Sequence, residues 1–139
     1  MTSGRLVSEE IRVRITSDLD IVIARQKGRE LANHLGFGSS DLAIIATAIS
    51  ELARNIVLYA SRGEVILKST QENDTSGIIV VAADQGSGIA DVAAAMHDGY
   101  STSGSLGLGL PGVRRLMDEF EIVSKIGCGT TVTAKEWKR

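Results

Sequence analysis

The 139-residue chain contains one cysteine, one proline and 4% aromatic residues, and its 15 Lys and Arg are outnumbered by 17 Asp and Glu. Each scarcity excludes something. A lone Cys128 forms no intramolecular disulfide, so the fold does not depend on an oxidising compartment, and a cytoplasmic setting is expected. A formal net charge of −2 leaves no basic excess to neutralise a run of phosphates, so nucleic acid is not an expected partner. His34 and His97 stand apart from each other and from Cys128, which gives no zinc-ligand spacing. Residues 1–10 are polar, without the apolar stretch of a signal peptide, and are expected to be flexible. The longest purely aliphatic run, Ile78 to Ala83, is far too short to span a bilayer, so no membrane is expected either.

What is present is 43% hydrophobic residues and 15 glycines, much of the glycine lying between Gly99 and Gly129. A chain of this size fits a single domain over 1–139 and buries roughly 65–70% of its unfolded surface. Glu10 to Ile15 alternates apolar and polar residues, the period of a half-buried strand. Ser17 is placed to cap a helix that runs to about His34 and stops at Gly36, with Gly28 as its weak point. Ser39 or Ser40 with Asp41 opens a longer helix, to about Ala60, carrying Leu42, Ile45, Ile49, Leu52, Ile56 and Tyr59 at helical spacing. Glu64–Gln71 and Ile78–Ala83 read as a hairpin joined by the polar turn 72–77. Asp91–Met96 reads as a short helix, and Pro111 suits the first turn of another running to about Phe120. Glu121–Ile126 and Thr130–Trp137 form a closing hairpin around Gly127-Cys128-Gly129. This order implies an α+β two-layer sandwich, with helices on one face of a mixed, mainly antiparallel sheet.

Four local patterns stand out. On the long helix, Glu51 and Asn55 sit one turn apart among Ile44, Ala48 and Leu58, while Thr47, Ser50 and Arg54 are expected on the solvent arc. A carboxylate and an amide on an apolar flank are costly unless something polar meets them: a hydrogen-bond network, a metal or a ligand. Asp84-Gln85-Gly86-Ser87-Gly88 follows a buried strand, where glycines let a planar ligand approach and the carboxylate accepts from an amino group; an ordinary turn has the same composition. In 100–112, Gly107, Gly109 and Gly112 match a dinucleotide fingerprint formally, but no strand precedes them as that motif requires. What remains is a glycine-rich loop entering a helix N-terminus, a place suited to phosphate. The last pattern, Gly129-Thr130, alone is only a turn.

In this order and spacing the four patterns resemble the nucleotide-binding boxes of the GHKL (Bergerat-fold) ATPase superfamily. Within it, Ser50–Ile56, Asp98–Ser103 and Leu110–Phe120 are similar to the serine/threonine switch kinases of the bacterial stressosome, relatives of the anti-sigma-factor kinases. The resemblance implies an ATP lid at 99–109 and Mg-ATP as ligand. Asp84 would hold the adenine amino group, with Gly86 and Gly88 admitting the base and Thr130 assisting through a water. Asn55 would ligate Mg²⁺, and Thr102, Ser103, Gly104, Ser105, Gly107, Leu108 and Gly109 would meet the phosphates. Glu51 would be the general base that deprotonates the acceptor hydroxyl.

The implied activity is serine/threonine phosphorylation of STAS-domain antagonist and scaffold proteins of a stressosome, followed on release by activation of a downstream PP2C-type phosphatase. The alternatives are a nucleotide-bound partner-switching module with little turnover, and a detached histidine-kinase catalytic domain, which lacks its phosphoacceptor histidine here. Gly104-Ser105-Leu106 carries no basic residue where related anti-sigma kinases often do. Arg54 is a candidate either for that cation or for a partner contact.

Overall fold

The computed structural model describes residues 10–89, 96 and 109–139. The short helix expected at 91–96 therefore lies outside the described residues, apart from Met96, as does the lid apart from Gly109. Strand β1 (Glu10–Ile15) pairs with β2 (Gly63–Glu72), starting at Glu10 opposite Lys68, so Glu10 belongs to the sheet and not to a flexible N terminus. The strands β3 (Thr75–Asp84), β4 (Glu119–Lys125) and β5 (Gly129–Trp137) complete a sheet of order β1-β2-β3-β5-β4, antiparallel at every interface. The β2–β3 turn is tight, as its composition implies, but shorter than 72–77. Asn73 and Asp74, with left-handed φ of 51° and 69°, make a two-residue turn whose twist matches the right-handed twist of the strands, which run up to it from both sides.

Helices α1 (Asp18–His34), α2 (Ser39–Tyr59) and α3 (Gly109–Leu116) lie on one face of this sheet. Alternate strand residues Val13, Ile15, Val65, Leu67, Ile78, Val80, Ala82, Val132 and Ala134 point up to meet Ile21, Ala24, Leu31, Ile45, Ile49, Leu52, Ile56 and Val113. Ser17 occupies the N-cap of α1 but makes no side-chain cap bond; instead the Asp20 carboxylate reaches back to the N–H and hydroxyl of Thr16, at 2.8 and 3.0 Å, and those bonds hold its pKa down. Likewise the N-cap of α2 is Gly38, not a serine side chain. Gly28 is the crossing point of the two helices and no flaw: a Cβ there would stand 2.0 Å from Ile49 Cδ1. By length and composition α2 could also cross a bilayer, but half of that stretch is packed inside the fold, where sheet, α1 and α3 surround it.

Helix α3 stops at Leu116, short of Phe120, because the chain is seized just beyond it. The Asp118 N–H donates to the buried Glu136 carboxylate at 3.0 Å, and Asp118 accepts from the Trp137 N–H at 2.8 Å and from the Arg139 guanidinium. Phe120, Ile122 and Ser124 then alternate inward along β4. Glu136 is 2% exposed, and burial, with the Asp118 and Asp41 charges nearby, outweighs the Asp118 N–H bond and Arg139 and pushes its pKa up to about 7.

The sign follows from linkage. Between its ordinary range near 4.5 and about 7, the folded chain holds a proton that the unfolded chain has released, so this group's contribution to stability is lost as pH rises through that window. Arg139 lowers the Asp118 pKa through their hydrogen bond, so Asp118 acts oppositely and only at more acid pH. Glu136→Gln keeps an oxygen for the Asp118 N–H. Urea midpoints are expected to show the wild type losing roughly 1–3 kcal/mol relative to this variant between pH 5 and pH 8; equal pH dependence in the two proteins would refute the assignment.

Candidate functional site

Sheet register builds the floor of the site. Asp84 on β3 pairs with Thr130 on β5, which pairs with Ser124 on β4, so three polar side chains form one row at the end of the otherwise apolar inner face. Asp84 Oδ1 accepts two backbone N–H groups, Gly86 at 2.9 Å and Thr130 at 3.3 Å. The Thr130 and Ser124 hydroxyls lie 2.7 Å apart, and Ser124 also accepts the Ile89 N–H at 2.7 Å. The loop after β3 is thereby tied to the β4–β5 hairpin at one hydroxyl. Ser124 gave no sign of this in the sequence, because only the strand register brings it there.

The C-terminal end of α2 overhangs the row and encloses a cavity of about 250 Å³. Leu52, Ile56, Ala82 and Val132 give it apolar walls, Asn55, Asp84 and Thr130 its polar groups, and Leu110 and Pro111 of α3 close one side. Tyr59, 55% exposed, stands at the mouth one helical turn beyond Asn55, a spacing that could have marked it as a site residue. Of the expected residues, Asn55, Asp84, Gly88 and Thr130 line this one cavity. Thr102, Ser103, Gly104, Ser105, Gly107 and Leu108 lie outside the described residues.

Two glycines serve a purpose other than the expected one. Gly88 has φ +82°, and a Cβ on it would stand 2.2 Å from the Lys125 carbonyl oxygen. A Cβ on Gly86 would press on Ala60 at 2.8 Å, at the end of α2. Both are required by the loop's seat on its neighbours before any ligand arrives.

Glu51 is 4% exposed and so faces inward, whereas Asn55 is half-buried at the cavity wall. Its Oε1 accepts the N–H of Gly109, the first residue of α3, at 3.3 Å, and its Oε2 lies 3.9 Å from Arg54 Nε. Gly109, expected as the last residue of the lid, is buried at a helix start with φ +54°. The solvent arc expected for α2 is corrected as well: Ser50 is buried and donates to the Ala46 carbonyl at 2.9 Å, Thr47 and Arg54 are half-buried, and Leu58, expected on the flank, is exposed.

Chemically this is a largely apolar slot with a carboxylate at its base, an amide on its wall and a buried carboxylate beyond. The slot suits a planar heterocycle with an exocyclic amino group. Among the described residues no cluster of His, Cys, Asp or Glu could hold a metal by itself. The Asn55 amide oxygen is nevertheless a hard donor of the kind Mg²⁺ accepts when phosphates and waters supply its remaining ligands.

Comparison with known proteins agrees with this geometry. Residues 15–135 match the Histidine kinase-like ATPase domain family, a family defined by ATP binding. The chain is 51% identical, over 133 residues, to the serine/threonine-protein kinase RsbT of Bacillus subtilis (strain 168), covering 96% of this chain and all of that one. The crystal structure of the RsbU and RsbW domains of Rv1364c from Mycobacterium tuberculosis superimposes with a TM-score of 0.63 at 23% identity. That match covers 96% of this chain but 33% of the larger one, and it bears on fold alone. The chain belongs to the histidine kinase-like ATPase domain family and, within it, to the serine/threonine-protein kinases of the RsbT kind.

Proposed function

We propose that this chain, acting as one nucleotide-binding unit over 1–139, transfers the γ-phosphoryl group of ATP to a serine or threonine of STAS-domain antagonist and scaffold proteins of a stressosome. Once released, it binds and activates a PP2C-type phosphatase; both events take place in the cytoplasm. The observation that carries the catalytic part is the burial of Glu51 one turn before Asn55, beside a slot with Asp84 at its base. The similarity to RsbT supports the partners.

Asp84 accepts the adenine amino group while its Oδ1 keeps the two backbone donors that hold the loop. Thr130 assists through a water, and the apolar walls take the faces of the base. The Asn55 oxygen faces Mg²⁺, which when bound offsets the negative charge of the triphosphate. Backbone N–H groups from 102–108 and the start of α3 meet the phosphates. The acceptor oxygen attacks the γ-phosphorus, the bond to the β–γ bridging oxygen breaks, ADP leaves, and the hydroxyl proton passes to Glu51.

The purified chain with γ-labelled ATP, Mg²⁺ and a STAS-domain protein is expected to place label on serine or threonine of that protein. Tight ATP binding without label on any STAS protein would favour the partner-switching module instead.

A further inference from the structure

By helical position Arg54 belongs on the outside of α2, yet its side chain is only 33% exposed. Its Nε is shut off from solvent and has no hydrogen-bond partner among the described residues. Glu51 Oε2 stands 3.9 Å away, about an ångström too far for a hydrogen bond. A buried N–H without an acceptor calls for an explanation. The other Glu51 oxygen is also loosely held, by the Gly109 N–H at 3.3 Å. The carboxylate is thus flanked by two stretched donors, one on each oxygen.

Helical geometry separates Arg54 from the nucleotide. At 3.6 residues per turn it projects roughly 60° to one side of Glu51, whereas Asn55 and Leu52, which line the cavity, project about 40° and 100° to the other. Among the described residues its ion-pair partner is the Glu51 carboxylate.

We propose that Arg54 is the positioning residue for Glu51, an inference that rests on the base role given to Glu51 above. With ATP and acceptor bound, the Arg54 Nε–H closes by about an ångström onto Oε2, which fixes the plane of the carboxylate. Oε1, whose second lone pair is free beside the Gly109 N–H, then takes the acceptor proton.

The test uses the full chain. Arg54→Met keeps the aliphatic stem and removes the guanidinium. Turnover at saturating ATP and acceptor is expected to fall roughly 10- to 100-fold, part of the ~10²–10⁴ that a general base supplies, with KM for both substrates unchanged. Arg54→Lys is expected to recover part of the loss, because an ammonium restores the charge but not the direction of the Nε–H. In a Glu51→Gln background, Arg54→Met is expected to cost nothing more. An active wild type with an equally active Arg54→Met overturns the assignment alone. So does a loss that appears as a higher KM for ATP, which would make Arg54 a phosphate cation, or for the acceptor, which would make it a docking contact. A wild type that binds ATP but transfers nothing overturns the kinase reading, and this assignment with it.

Discussion

Glu51→Gln is expected to transfer phosphate about 10³-fold more slowly than the wild type while binding ATP with unchanged affinity. Glutamine is the informative replacement because Glu51 is buried and bonded. Its amide oxygen still accepts the Gly109 N–H, so the start of α3 keeps its seat over the cavity, but it cannot take a proton at neutral pH. Alanine would confuse the two effects, leaving the Gly109 N–H without an acceptor and Arg54 facing a void. Single-turnover label transfer measures the rate, and equilibrium nucleotide titration measures the affinity. A variant that transfers at the wild-type rate removes Glu51 from the base role. One that loses ATP affinity instead places the Glu51 charge in nucleotide binding and not in the transfer step.

The contrast between Glu51 and Ser124 shows which parts of this site a sequence can reveal. Glu51 and Asn55 were visible because a helix writes its faces into the spacing of its residues, and two polar groups in an apolar flank break the pattern. Asp84 was visible because it interrupts an aliphatic strand just before two glycines. Ser124 holds Thr130 and Ile89 in place, yet it sits in an ordinary alternating strand, and its partners are 6 and 35 residues away. Only the β4–β5 register brings them together.

The helix starts were legible, but not how they are capped. Ser17, Ser39 and Ser40 have good capping chemistry, but whether a side chain caps is decided by the path of the preceding residues. Ser17 stands at the N-cap of α1 without a side-chain bond while Asp20 reaches back to Thr16, and Gly38 precedes Ser39 as the N-cap of α2. At the other end of the chain, a helical pattern carried on to Phe120 loses to tertiary contacts, since Asp118 is held between Glu136, Trp137 and Arg139.

The glycines show how a correct motif can carry an incomplete reason. Gly129 has φ +94°, and a Cβ on it would stand 2.1 Å from the Asp84 carbonyl oxygen. With Gly86 and Gly88, it lets two backbone segments and the end of α2 crowd around Asp84, leaving that carboxylate at the base of the slot. In this structure the glycines meet protein neighbours, so the residue to test for base recognition is Asp84 itself.

Asp84→Asn is expected to bind ATP about 10²- to 10³-fold more weakly while folding as the wild type does. The two backbone donors both meet Oδ1, so an asparagine can keep its oxygen there and hold the Gly86 and Thr130 N–H groups. Its NH₂ then falls where the second carboxylate oxygen was, and a donor faces the adenine amino group, itself a donor. A buried donor–donor contact loses a hydrogen bond and leaves two groups unsatisfied, worth about 3–4 kcal/mol and therefore a loss of that size. The same reversal favours a purine with an acceptor at that ring position, so the ratio of GTP to ATP affinity is expected to rise in the variant although ATP binding falls. Thermal melting without nucleotide checks the fold, and titration with both nucleotides checks the rest. If ATP affinity survives the substitution, Asp84 does not read the amino group; if both nucleotides weaken equally, it shapes the loop without reading the base.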